Sequence, residues 1–341
     1  MNAMNAKSNT IYKTILTISG LIIIFAGLKV ADKIIVPFLL SMFIALISFP
    51  LLKFFQSKKI NTPFSVSLVL LIIISVSLSI AALIGSSLNS FTKSLPQYKE
   101  KIVIELDQIY IFARENNINI DTNFLYDFLD PSLIANTLNA FGNVLTNYLL
   151  ILLIVMFTLL EAAGFSKKIK LAFNNSDKSI ANFRTFSTNM NKYLTIKTIV
   201  SIITGVLIYI SLTIIGLDHA IMWGLIAFFL NYIPTIGSIL ASIPAIIMAL
   251  IQFNIYYAIL VAVLYFSINI IMGSIIEPRY LGKELGLSTL IIFLSLIFWG
   301  WLLGPVGMLL SVPLTMILKI AIESNNDTKW IAVLLGRNIN D

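Results

Sequence analysis

Continuous apolar runs recur along the whole chain, and they predict helices at about 11–28, 34–52, 64–83, 141–160, 196–215 and 256–276. Runs of about 20 residues match what a helix needs to cross a bilayer. Two further apolar stretches, 220–251 and 287–320, are long enough to cross but are broken in the middle. The first break is N-Y-I-P-T-I-G, Asn231 to Gly237; the second is G-P-V-G, Gly304 to Gly307. Lipid cannot hydrogen-bond a free backbone, so such breaks survive at membrane depth only where protein or a water-filled cavity receives the exposed groups. A pair of Gly/Pro-interrupted segments is also the sequence pointer to a transport site. Each reads as a re-entrant hairpin, or else as two short helices or one kinked span. The pattern predicts an all-α polytopic membrane protein of about eight membrane elements, two of them broken hairpins in the C-terminal half.

The third and fourth runs are separated by a different kind of sequence. Ile102, Leu106, Ile109 and Ala113 share one helical face while Glu105, Asp107, Gln108 and Arg114 lie elsewhere. Asp130-Pro131 starts a second amphipathic helix with proline at its first position. This external helical segment is either a cap or assembly surface, or a pair of helices lying on the bilayer. The organisation is then N-terminal helices over 1–87, the external segment over 88–140, and a fourth helix with a basic loop over 141–195. A transport core over 196–320 and a tail over 321–341 complete it.

Composition sharpens this. The chain is 58% hydrophobic and 11% charged, against roughly 25% charged in a soluble domain. It has no Cys and one His, which excludes thiolate metal sites, cysteine nucleophiles and histidine-rich metal centres. The net charge of +7 does not point to nucleic acid, because the Lys and Arg sit in short loops beside apolar spans, as the positive-inside rule expects. With the N-terminus in the cytoplasm and each broken segment returning to its own side, the outside keeps only Lys29, Lys33, Lys93, Lys99, Lys101 and Arg114. The loop from Lys167 to Lys197 and the C-terminal tail then face the cytoplasm, beside anionic lipid. Both termini are cytoplasmic. Helix plus hairpin occurs twice in opposite orientations, which is the inverted-repeat logic of alternating-access carriers.

Few groups could carry chemistry. Glu277 ends an apolar helix and precedes Pro278, which stops or bends that helix; Arg279, Gly282, Lys283 and Glu284 follow. A carboxylate at the rim of the hydrocarbon is a functional candidate by default. It binds Na⁺ or exchanges a proton, or it is an interfacial anchor paired with Arg279 or Lys283. Asn231 can satisfy the opened backbone or contact a ligand, with Pro234 and Gly237 shaping the turn. Asn269 and Ser267 line the same cavity or bond between helices. In the second broken segment Gly300, Gly304 and Gly307 allow close approach, and Pro305 and Pro313 fix bends. Trp299 and Trp301 are interface anchors or gate elements, and Ser288 is a helix cap. Asp218-His219 reads as a solvated loop pair, with proton coupling as the alternative. There is no nucleotide-binding loop, no G-x-S-x-G elbow and no H-E-x-x-H motif, so the reading is not an enzyme and needs no cofactor.

At N-Y-I-P-T-I-G and at E-P-R-Y-L-G-K, followed by the long W-G-W-L-L-G-P-V-G-M-L-L-S-V-P-L run, the chain resembles the autoinducer-2 exporter family, the PerM-like permeases. The resemblance is specific over Asn231 to Leu314. It implies a homo-oligomeric secondary transporter of the cytoplasmic (inner) membrane, exporting a small polar solute or exchanging Na⁺ for H⁺ as coupling ions. The candidate substrate- or ion-binding residues are then Asn231, Pro234, Gly237, Asn269, Glu277, Pro278 and Arg279, with Asn231 and Glu277 near a site shared by both hairpins. The candidate hinge or gate residues are Gly282, Ser288, Trp299, Gly300, Gly304, Pro305, Gly307 and Pro313. Where family sequences often read L-S-P-L, this chain has Leu287-Ser288-Thr289-Leu290, which loosens that helix entry. The alternatives are a passive channel, or a membrane scaffold that recruits a partner through the external segment.

Overall fold

The computed structural model describes residues 15–16, 19–20, 22–115, 148–172, 177–281, 287–323, 330 and 335. Every regular element among them is a helix. Residues 22–30 are helical and lead into α1, Asp32–Ser57, then α2, Thr62–Glu115, and α3, Tyr148–Ala172. After them come α4, Asp177–Ile215, α5, Ala220–Leu230, α6, Gly237–Gln252, and α7, Ile255–Asn269. A π-helical turn over Ile270–Ile276 joins α7 to the short α8, Glu277–Leu281, and α9 covers Thr289–Glu323. Five stretches among the described residues are long and apolar enough to cross a membrane: Asp32–Ser57, Thr62–Phe91, Ser187–Ile215, Ile255–Tyr280 and Thr289–Glu323.

Three helices outrun their apolar patterns. The 54-residue α2 continues through Pro96 to Glu115, so the segment the sequence sets apart from residue 88 begins as an extension of the third membrane helix. Residues 116–147, including the amphipathic helix expected after Pro131, lie outside the described residues. The stretch read as a basic loop is helical on both sides of 173–176, which also fall outside them. Once a helix has nucleated against the bundle, each further residue adds a hydrogen bond at little cost, so polar residues extend it into water. Pro278 likewise does not end its helix. The widened turn before it, where the Glu277 N–H bonds to Met272 O, accommodates a ring that would meet the carbonyl four residues back in an α-helix.

The Cα trace falls into two compact units, Ile44–Gly286 and the paired segments Met1–Phe43 with Leu287–Asp341. In the first, α4 is the hub: it packs against α5, α7, the π turn and α8, while α6 packs against α5, α7 and α2. The core holds Phe91, Leu212, Met222, Trp223, Met248, Val261 and Tyr265. Large apolar side chains also face outward, with Ile214 81% and Leu149 82% exposed, while Ser65 and Ser201 are fully buried. That inversion fits a lipid solvent, in which small and polar residues knit helices together. The hydroxyls are satisfied locally: Thr198, Thr204 and Thr213 each donate to the carbonyl four residues back, on Leu194, Val200 and Tyr209.

The tightest helix contact rests on two glycines. A Cβ on Gly224 would lie 2.8 Å from the Gly205 carbonyl oxygen, and one on Gly205 would lie 2.8 Å from the Gly224 oxygen. α4 and α5 therefore touch backbone to backbone. Gly224→Val should lower stability by about 1–3 kcal/mol through overpacking. Thermal unfolding followed by size-exclusion chromatography in detergent checks it, and an unchanged midpoint would contradict the contact.

Candidate functional site

α4 ends in a turn that uses its glycine. Gly216 is left-handed at φ 82°, with Leu217 N–H bonded to Leu212 O at 3.0 Å and Gly216 N–H to Thr213 O at 3.1 Å, a Schellman arrangement. The chain re-enters the bundle as α5, only 11 residues long, breaks at Asn231, and returns as α6. The end of α6 comes back to where α5 began: Gln252 Nε2 donates to Gly216 O at 3.0 Å, and its Oε1 accepts from Asp218 N–H at 2.8 Å. Both ends of this segment thus sit at one end of α4, and its tip lies deep along the same helix.

The tip meets a polar face. Tyr193, Lys197, Ser201 and Thr204 recur at four-, four- and three-residue steps along α4 and are all buried, one stripe of the helix. Asn231 Nδ2 donates to Ser201 Oγ at 3.0 Å. Tyr232 OH donates to Thr198 Oγ1 at 2.8 Å, and the Thr198 hydroxyl donates in turn to Leu194 O. Gly237 is buried where a Cβ would overlap the Leu230 carbonyl oxygen, so it serves close approach; the left-handed residue of the break is Thr235, φ 60°. Pro234 is half-buried. Counted at about 1.5 Å per residue, Ser201 lies about 21 Å from the end of α4.

One turn beyond, Lys197 Nζ lies 2.8 Å from both Glu277 carboxylate oxygens. The two side chains are 6% and 15% exposed, so the pair is enclosed by protein. Glu277 is therefore not anchored by Arg279, which is exposed; Lys283, the other neighbour considered, lies outside the described residues, as does Gly282. Lys197 itself is not the loop charge that the sequence suggests but a member of the buried stripe. Tyr193 is near enough to interact electrostatically with Glu277 and Tyr232. The structure thus brings Asn231 and Glu277 to one face of α4 through Ser201, Thr198 and Lys197, none of which the sequence reading singles out. A Lys, Ser and Thr at helical spacing inside an apolar run is the signal that could have found them. Asn269 takes no part in these bonds; its Oδ1 lies over Gly273, where a Cβ would come within 3.3 Å. Pro278 is exposed.

The mouth of the segment is closed by α2. Tyr98 OH donates to Asp218 Oδ2 at 3.1 Å, Trp223 Nε1 donates to Asp218 O at 2.9 Å, and the Phe91 ring stands edge-on to His219 at 5.8 Å. Asp218-His219 is thus a turn fastened by hydrogen bonds, with Asp218 exposed and His219 half-buried. Burial, with Asp218 beside it, pushes the Tyr98 phenol up to about 12, so it stays a donor.

The second broken segment, in the other unit, doubles back. Trp299 Nε1 donates to Thr315 Oγ1 at 3.0 Å, although 16 residues of straight helix would hold them about 24 Å apart. The reversal is at Gly304, φ 66° and ψ −152°, conformations open to glycine. A Cβ on Gly307 would overlap the Trp299 carbonyl oxygen, and one on Gly300 would press on the Met308 side chain. Pro305 has no N–H for the Trp301 carbonyl four residues back. Lys29 Nζ donates to that oxygen at 2.8 Å while lying 4.4 Å from the Trp301 ring centroid. Ser288 caps α9, accepting from Ile291 N–H at 3.3 Å, and Pro313 is buried in the returning arm.

Comparison with known proteins matches residues 18–327 to the AI-2E family transporter model. The chain is 41% identical over 328 residues to the AI-2 transport protein TqsA of Escherichia coli K12, covering 95% of each. It is 39% identical over 338 residues to a protein of Haemophilus influenzae provisionally named a transport protein, covering 96% of this chain and 97% of that one. It is also 32% identical over 326 residues to YhhT of Escherichia coli K12, again provisionally named a transport protein, covering 94% and 93%.

Two outcomes follow from this geometry. Lys197→Met should cost about 3–5 kcal/mol by stranding a buried carboxylate, and Lys197→Met with Glu277→Met together should recover most of it; a double-mutant cycle on unfolding midpoints measures the coupling. Burial also lowers the His219 pKa, against an opposing push from Asp218. The unfolded chain, with His near 6.5, then binds the proton more readily. His219 contributes stability above about pH 6.5 that is lost as pH falls through that value. Between about pH 7.5 and about pH 5.5, His219→Asn, which tolerates left-handed backbone, should lose less of its melting temperature than wild type.

Proposed function

The chain belongs to the AI-2E transporter family, and on that premise we propose that it is a secondary transporter of the cytoplasmic membrane working by alternating access. Its cargo is a small polar solute moved outward, or Na⁺ exchanged for H⁺. The observation that carries the reading is the broken segment whose tip, Asn231 to Gly237, ends on a buried polar stripe beside the Lys197–Glu277 pair. Interrupted helices and enclosed charge inside an otherwise apolar bundle mark pathways, because each is costly anywhere else. Asn231 and Tyr232 present hydrogen-bonding groups at the tip, and Glu277 supplies the one carboxylate on that face of α4 among the described residues. Cytoplasmic termini, assembly into homo-oligomers and a re-entrant path for both broken segments belong to the same proposal.

Reconstitution into proteoliposomes tests it. Wild type should carry Na⁺-dependent proton movement or saturable AI-2 efflux with counter-flow, and Glu277→Gln should reduce that flux by about tenfold or more. Silence of well-folded wild type in both assays rejects these cargoes, while flux that neither saturates nor shows counter-flow makes the protein a channel.

A further inference from the structure

We infer that Lys197 is the latch of a two-register switch: its ion pair holds Glu277 in the register set by the π turn, and release lets residues 270–276 relax into α-helix, carrying the carboxylate away from α4. The inference rests on the transporter reading and gives it a moving part. The π turn is seven residues long, I-I-M-G-S-I-I, and its last bond runs from Glu277 N–H to Met272 O. Such turns hold one residue more than the α-helix they interrupt. Relaxing it would rotate everything beyond by about 100° and shift it by about 1.5 Å, one α-helical step.

Two features bring the registers close in energy. In the α register Pro278 would set its ring against the Ser274 carbonyl and leave that oxygen without a donor, which opposes ordinary helix here. In the π register the wider turn gives up regular packing, and what compensates lies at its end, in the two 2.8 Å bonds between Glu277 and Lys197. The groups facing Glu277 are Lys197 and Tyr193 from α4, with Arg279 exposed on its own helix and Tyr232 of the break beside Tyr193. Lys197 is thus the cation that cargo or a proton must replace before the carboxylate can leave. Because Thr198 and Ser201, the next polar residues of α4, hold the tip at Tyr232 and Asn231, a shift of Glu277 acts on the helix that also holds the break. The element is bistable, which is what transmits a local event as a discrete change.

The test deletes one residue. Removing Ser274, which is exposed, takes out the extra residue and makes the paired register the α-helical one. Full-length ΔSer274 in nanodiscs should fold, with its thermal midpoint lowered because the Pro278 ring then meets the Gly273 carbonyl. Amide hydrogen exchange over 270–281, read by mass spectrometry, should slow by about tenfold, and the flux carried by wild type should fall by about tenfold or more. Lys197→Gln should speed the same exchange by about tenfold, while Lys197→Arg should leave it near wild type. Wild-type flux in ΔSer274, or exchange indifferent to Lys197→Gln, overturns the latch; the second criterion decides the matter even where the deletion does not fold. Pair-dependent exchange in a protein that carries no flux leaves the latch standing and removes the transport reading, and flux with pair-independent exchange does the reverse.

Discussion

A backbone amide or carbonyl that leaves its helix inside lipid has no water to turn to, so every interruption in this chain must be answered by another part of the protein. At Asn231 the backbone N–H groups are taken up within the break, Tyr232 by Phe229 O, Ile233 by Leu230 O and Gly237 by Ile233 O, while Ser201 and Thr198 of α4 meet the side chains of Asn231 and Tyr232. The reversal at Gly304 is answered by Lys29, which takes the carbonyl that Pro305 leaves without a donor. In each case the partner is a polar side chain on an otherwise apolar helix, placed at the level where the break falls. The irregular backbone and the polar residue need each other, since either alone would be a cost without compensation.

α4 carries most of this burden because it is in contact with nearly everything else in its unit. One face meets α5 through the Gly205–Gly224 approach, close enough to bring the tip of the broken segment within hydrogen-bonding distance. The same helix holds Glu277 through Lys197 and ends in the Gly216 turn that Gln252 and Tyr98 help fasten. Small residues set the spacing, polar residues set the register, and the apolar remainder faces outward. This is the ordering expected where the solvent is as apolar as the side chains and cannot itself drive helices together.

The ion pair gives the site its chemical character. A buried carboxylate needs a partner, and here an ammonium lies against both oxygens. The site as it stands is neutral overall, rich in hydroxyl and amide groups, and enclosed by apolar helices. Membership of the AI-2E family says that such a chain belongs among transporters.

Most of the architecture was legible from the chain. Apolar runs of membrane length, the breaks at Asn231 and Gly304, and the exceptional position of Glu277 are all local properties, because crossing a bilayer imposes length and composition on each helix separately. The sequence also supplied the family resemblance, through short ordered motifs that survive without knowledge of the fold. What it could not supply was partnership. Lys197 reads as a topology charge from its neighbours and becomes the counter-ion of Glu277 only because α4 and α8 pack side by side, 80 residues apart in the chain. Gly237 reads as a turn residue and proves to be a point of close approach, and Pro278 reads as a stop or bend in its helix and follows a π turn that admits it. The helices that continue past their apolar patterns were hidden for the same reason, since a nucleated helix propagates through residues that would not have started one. Composition determined which segments enter the membrane; only tertiary packing decided which polar groups meet there, because hydrogen bonds and ion pairs are set by distance in space and not by spacing in the chain.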